Sequence, residues 1–122
     1  MSIVPIVVIS STAFGNAYGE YNGTDINWYS SSYKGDGYYG YTDGLHTYSY
    51  QLTGFVGILG FQASLATTPT VSDWFDITTS QVGDGINPVT ATGFKNFSGN
   101  FVWVRASITR FTAGTINKVL YN

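Results

Sequence analysis

The sequence predicts an all-β fold: one β-sandwich domain of jelly-roll-like, antiparallel strands with long Tyr/Gly-rich loops. Three observations point there. No stretch keeps a helical period over a useful length, and the chain is enriched in Thr, Val, Ile, Tyr, Phe and Trp, the residues of strands. Turn signals rich in Gly, Asp and Asn recur at short spacing, which divides the chain into seven to nine strands. At 122 residues one hydrophobic core suffices, and no break in composition separates two segments that could each bury their own.

Residues 3–10 are the first expected strand. Ile3, Val4, Ile6, Val7, Val8 and Ile9 put apolar side chains on both faces, and Pro5 pushes the strand toward an edge or a bulge. It is either a core strand of this domain or an N-terminal arm docking on a neighbouring subunit, so these six residues are the candidate assembly interface. Residues 17–44 change to Tyr, Gly, Ser, Asn and Asp. Short strands are expected at residues 26–31 and 38–41, around a turn at Lys34-Gly35-Asp36-Gly37. The aromatic content is too high for a disordered linker, which predicts ordered loops.

Further on, residues 45–52 alternate as a strand and residues 55–65 form the next, with Gly54, Gly57 and Gly60 permitting bulges. Strands follow at 74–79 and 89–94, with a turn at Gly83-Asp84-Gly85 between them. The clearest strand is 101–111, with Val102, Val104, Ala106 and Ile108 on the apolar face and Arg105, Ser107 and Thr109 on the wet one. A turn at Ala113-Gly114 then leads into a last strand at 115–121.

The composition also restricts function. Charged residues make up 10% of the chain, against about 25% in ordinary soluble domains. Such a surface suits packing against other copies, because little charge must be desolvated on contact. The five cations, Lys34, Lys95, Arg105, Arg110 and Lys118, are scattered, which argues against nucleic-acid binding. No apolar run approaches the roughly 20 residues of a membrane helix, and the N-terminus lacks the basic start and cleavage pattern of a signal peptide. Cysteine is absent, and with it disulfides and thiolate chemistry.

Nothing in the sequence assembles a catalytic centre, so no enzyme activity is expected. His46 is the one histidine, beside the Asp43-Gly44 turn, where a surface or hydrogen-bonding role is the simpler explanation. Asp73 and Asp76 flank Trp74-Phe75 as a charged turn feeding a strand with a core aromatic. Gly35-Asp36-Gly37 and Gly83-Asp84-Gly85 each bring a single acid, too few for a calcium loop, and no cofactor is expected. What remains is the aromatic segment: Tyr18, Tyr21, Trp28, Tyr29, Tyr33, Tyr38, Tyr39 and Tyr41 form the candidate binding surface. Tyr offers large contact area at low entropic cost among adaptable Ser, Gly and Asn. Trp28, Tyr29 and Tyr33 have three open uses: stacking on sugar rings, burial against a neighbouring subunit, or lining the domain's own core.

Tyr41-Thr42-Asp43-Gly44-Leu45-His46-Thr47, Gly54-Phe55-Val56-Gly57, Gln62-Ala63-Ser64-Leu65-Ala66 and Asp73-Trp74-Phe75-Asp76-Ile77 together resemble small structural proteins of tailed bacteriophages, especially large myoviruses. The stretches 99–106 and 111–120 are similar to the closing β-hairpin of that group. The resemblance covers about residues 41–122 and leaves out the N-terminal strand and the tyrosine-rich segment. It implies a multi-copy virion protein assembled in the host cytoplasm: a capsid decoration protein, or a neck, tail or fibre component. Its partners would be copies of itself and other virion proteins, with a glycan or host receptor as the alternative for a tail or fibre module.

Overall fold

The computed structural model describes residues 6–39 and 44–122, except for the side chains of Asp36 and Tyr39. Its strands are β1 (Ile6–Ala13), β2 (Trp28–Tyr29), β3 (Tyr33–Lys34), β4 (Leu45–Ser64), β5 (Phe75–Val82), β6 (Val89–Ser98) and β7 (Trp103–Tyr121). All pair antiparallel in one sheet, and the only helical pieces among the described residues are 3-10 turns at Asp36–Tyr39 and Val71–Asp73. The all-β class is therefore as the sequence predicts.

The strand lengths differ from expectation. Residues 45–52 and 55–65 are one strand of 20 residues, β4, and residues 103–121 are one strand of 19, β7. The Ala113-Gly114 turn is instead a crease within β7, where Gly114 has φ +88° and Arg110 has φ +54°. Opposite it, the β4 register shifts between Thr53 and Ile58, with Gly54 at φ +59°. Alternation is interrupted at a bulge just as at a turn, and the pattern alone does not separate the two.

The crease makes two layers from one sheet. A straight strand would hold residues 48 and 61 roughly 40 Å apart, yet the rings of Tyr48 and Phe61 lie 4.6 Å centroid to centroid. Below the crease the order is β6-β4-β7-β1; above it β5-β4-β7, with β2 and β3 on the far side of β7. The layers face each other in a sandwich-like arrangement, joined through β4 and β7 rather than by loops alone.

Side chains fill the space between them in two aromatic groups. Near the crease Phe111 touches Phe14, Tyr21, Trp28 and Phe55, with centroids 5.2–6.3 Å apart. Farther along, Phe61 meets Tyr48, Phe97 and Tyr121. Leu52, Leu59, Val104, Ile108, Ile116 and Val119 complete the same core. The ring pairs are tilted, edge-on or stacked at distances that favour aromatic attraction beyond simple burial.

β1 is paired with β7 from Ile6↔Tyr121 to Ala13↔Thr115, so of the two readings open for this segment residues 6–13 take the first, a strand of this domain's own sheet. One further expectation is corrected. The strand expected at 38–41 is, over its described part, a 3-10 turn. There Tyr38 N–H donates to the Gly35 carbonyl at 3.1 Å, while Gly35 and Gly37 donate to the Val102 and Phe101 carbonyls at 2.9 Å. A Cβ on either glycine would strike the backbone of residues 100–101, so close docking excludes a side chain there.

Candidate functional site

The expected site residues divide by the face they occupy. Tyr21, expected on the binding surface, is core instead, and of the three uses open to Trp28 it takes the last, lining the domain's own core. Trp28 pairs with Ile108 on the inward face of β7, and Tyr21 packs against its ring at 5.3 Å. Tyr33, half-buried, packs on the core, where desolvation and the nearby Glu20 charge raise its hydroxyl pKa. Tyr18 is exposed and accepts a hydrogen bond from the Ser10 hydroxyl at 3.3 Å. Tyr29 and Tyr38 are exposed on the outer face of the upper layer. Ile3, Val4 and Tyr41 lie outside the described residues, as does the side chain of Tyr39.

Of the expected assembly residues, Ile9 is core, Ile6 and Val8 are half-buried, and Val7 is 54% exposed. β1 is an edge strand, with β7 on one side and no strand on the other among the described residues. Beside it a small cavity of about 110 Å³ is lined by Val8, Ser10, Tyr18, Glu20 and Trp28. The Trp28 indole N–H is buried without a hydrogen-bond partner.

An open groove of about 800 Å³ lies on the outer face of the upper layer. Strand register builds its floor. Asp76↔Gln62 and Gln62↔Arg105 place one polar row across β5, β4 and β7, and Ser64↔Trp103 and Trp103↔Lys34 make a second row across β4, β7 and β3. Tyr29 stands on β2, opposite Ser107, and Trp74 immediately precedes β5. The turn before Trp74 is tied by Asp73, whose carboxylate accepts from the Thr70 backbone N–H at 2.7 Å and from its hydroxyl at 3.0 Å. Those bonds hold the Asp73 pKa below its ordinary value.

Arg105 is the centre of the groove. Its guanidinium lies 3.9 Å from the Tyr29 ring centroid and 4.2 Å from that of Trp74, a cation between two π-faces. Its Nε donates to Gln62 Oε1 at 3.0 Å, and Gln62 Nε2 donates to Asp76 at 2.9 Å, which fixes which way the amide is turned. Burial lowers the Arg105 pKa and the Tyr29 hydroxyl opposes the shift; a guanidinium stays charged at neutral pH regardless. Nearby, the Trp103 indole N–H donates to the Thr67 carbonyl at 2.8 Å, its ring meets Tyr38 edge-on at 5.4 Å, and Lys34 Nζ lies 4.3 Å from the Tyr38 ring centroid.

Arg105 stands on the wet face as expected, Trp103 and Gln62 are additions to the site, and Trp74, expected as a core aromatic, lines the groove. The signal was present in part: Trp103 shares the parity of Arg105, so a large aromatic stands on the polar face of a strand. Tyr29 and Trp74 come from remote segments that only the sheet brings to Arg105.

His46 has a structural role. It is buried, its Nε2 must carry the proton to donate to the Gly99 carbonyl at 2.8 Å, and Nδ1 then accepts from the Tyr121 hydroxyl at 2.7 Å. Phe97 stacks on its ring at 5.0 Å. Asp84 is used by its own turn, accepting from the backbone N–H groups of Ile86 and Asn87 at 2.8 Å and from the Asn87 side chain at 2.7 Å. Among the described residues no group of three or more His, Asp or Glu is placed to hold a metal ion, and no helix is long and apolar enough to cross a membrane. No family model, curated protein or solved structure matches the chain.

Proposed function

We propose that this chain is a multi-copy structural protein of a tailed-phage particle, such as a capsid decoration protein, working through protein–protein contacts with copies of itself and other virion proteins. The observation that carries the assembly reading is the open edge of β1. No described strand pairs with it on that side, and Val7 stands exposed with no charged residue within the strand to repel a partner strand. The phage setting rests on the resemblance over residues 41–122. Val7→Lys places a charge on this edge at a solvent-facing position, so the thermal midpoint stays within a few degrees of the parent. Self-association in sedimentation, and occupancy of the particle in a reconstruction, are expected to fall. Unchanged association and occupancy would remove β1 from the contact.

A second reading has its own observation. The groove around Arg105 combines aromatic rings with amide, hydroxyl and charged groups on one outer face, the mixture of apolar wall and few directed polar groups typical of ligand sites. It supports a saccharide- or host-receptor-binding module of a tail or fibre. Glycan-array binding by the purified chain, abolished by Trp74→Ala, is the expected result; a blank array removes this reading.

A further inference from the structure

We infer that the groove takes an acidic saccharide, with the carboxylate of a uronic- or sialic-type sugar held by the Arg105 guanidinium. This rests on the saccharide-binding reading and adds the charge of the ligand to it.

A guanidinium offers two faces and an in-plane rim of five N–H donors. The guanidinium carbon lies over the Tyr29 and Trp74 rings, and Nε is committed to Gln62. The terminal Nη donors remain, and they form the fork that matches a planar carboxylate in bidentate fashion. Arg105 has no carboxylate partner among the described residues. The acid in the same row, Asp76, receives the Gln62 amide and orients it without reaching Arg105 as an ion pair. Asp73, at the Thr70 rim, is engaged by the Thr70 N–H and hydroxyl.

The other features fit a sugar acid better than a bare anion. Lys34 stands beside the groove rather than in it, cross-strand from Trp103 with its Nζ over the Tyr38 ring. Trp103 is held by its bond to Thr67, so its ring is a fixed wall against which a pyranose can lie. An open groove of about 800 Å³ has room for more than one sugar ring, where a cage for phosphate or acetate alone would be small and closed.

The test is a set of titrations of the full chain followed by tryptophan fluorescence, with Trp74 and Trp103 as the reporters. The probes are an oligouronate, a sialyl-oligosaccharide, the carboxyl-reduced neutral form of the same oligouronate, and sodium acetate. Expected is binding of at least one acidic saccharide, at least tenfold weaker binding of the reduced form, and little response to acetate. Arg105→Gln should lose at least tenfold in affinity for the acidic ligand, and Arg105→Lys should recover only part of it, with circular dichroism confirming that both remain folded. If Arg105→Gln does not fold, the comparison of acidic with reduced ligand on the parent chain decides alone. Equal binding of the two forms would overturn the inference and leave the saccharide reading standing. So would full affinity in a folded Arg105→Gln chain. No binding of any saccharide would overturn both, and a response to acetate as strong as to the sugar acids would make the site a simple anion site.

Discussion

Single side chains carry identifiable shares of this fold. The Tyr48 hydroxyl, wholly buried between the layers, donates to the backbone carbonyl of Ser80, and burial pushes its pKa well above the ordinary value. Tyr48→Phe leaves that carbonyl buried without its donor, a loss of about 1–3 kcal/mol, to be read from urea unfolding; no change in the midpoint would mean water replaces the hydroxyl. Asp84 acts at the surface. Its turn bonds lower its pKa below the ordinary 3.8, so the contribution is full above pH 3.8 and is lost as pH falls through the folded value. The acid side of the stability–pH curve should therefore be shallower in Asp84→Asn than in the parent, and parallel curves would show that the charge does not matter. His46 and Asp84 illustrate what composition can reveal about a residue. One is the single histidine and the other the acid of a Gly-Asp-Gly turn, but only the partners, Gly99 and Tyr121 for one and Ile86 and Asn87 for the other, show them to be structural.

At the scale of the element, the crease governs. Gly114 lies against Gly54 of the facing strand, where a Cβ would fall on the Gly54 carbonyl, and its φ of +88° is already unfavourable for other residues. Gly54, at φ +59°, has open space where its Cβ would be. Gly114→Ala combines strain with collision and should cost more than Gly54→Ala, which carries the conformational penalty of roughly 1–2 kcal/mol alone. Equal losses in chemical denaturation would mean that the strands can part at the crease. Irregular strands also explain how far the elements were legible. The strands expected at 3–10, 74–79 and 101–111 overlap β1, β5 and β7, but only the last shows a clear period-2 alternation; the first is apolar on both faces. The continuity of β4 and β7 was not legible, because a glycine at positive φ reads alike in a hairpin and in a bulge. The two-residue strands β2 and β3 are too short to show any period.

For the whole molecule, the N-terminal strand is closed by the C-terminal one: β1 pairs with residues 115–121 of β7, which pair on their other side with β4. Deleting residues 118–122 strips both neighbours of part of their ladder and removes Val119 and Tyr121 from the core. The truncated chain is expected to lose its cooperative thermal transition; a surviving sharp transition would show that the upper layer folds by itself. Pairing between the two ends is also non-local, which places folding in the millisecond-to-second range of β proteins rather than faster. The class and the single core were visible from composition and alternation, since both are averages over many residues. The groove was not, because Arg105, Tyr29 and Trp74 meet only through a register that links three distant segments.

Continuity of β7 across both layers has a mechanical meaning. The open edge of β1 hangs on the second half of that strand, and Arg105 stands on the first. Were the chain held at β1 and pulled at Arg105, tension would cross the β1–β7 ladder in shear, many hydrogen bonds at once, and then run along the β7 backbone instead of peeling the layers apart bond by bond. A fold creased from a single ribbon is thus suited to hold between an anchor and a tether.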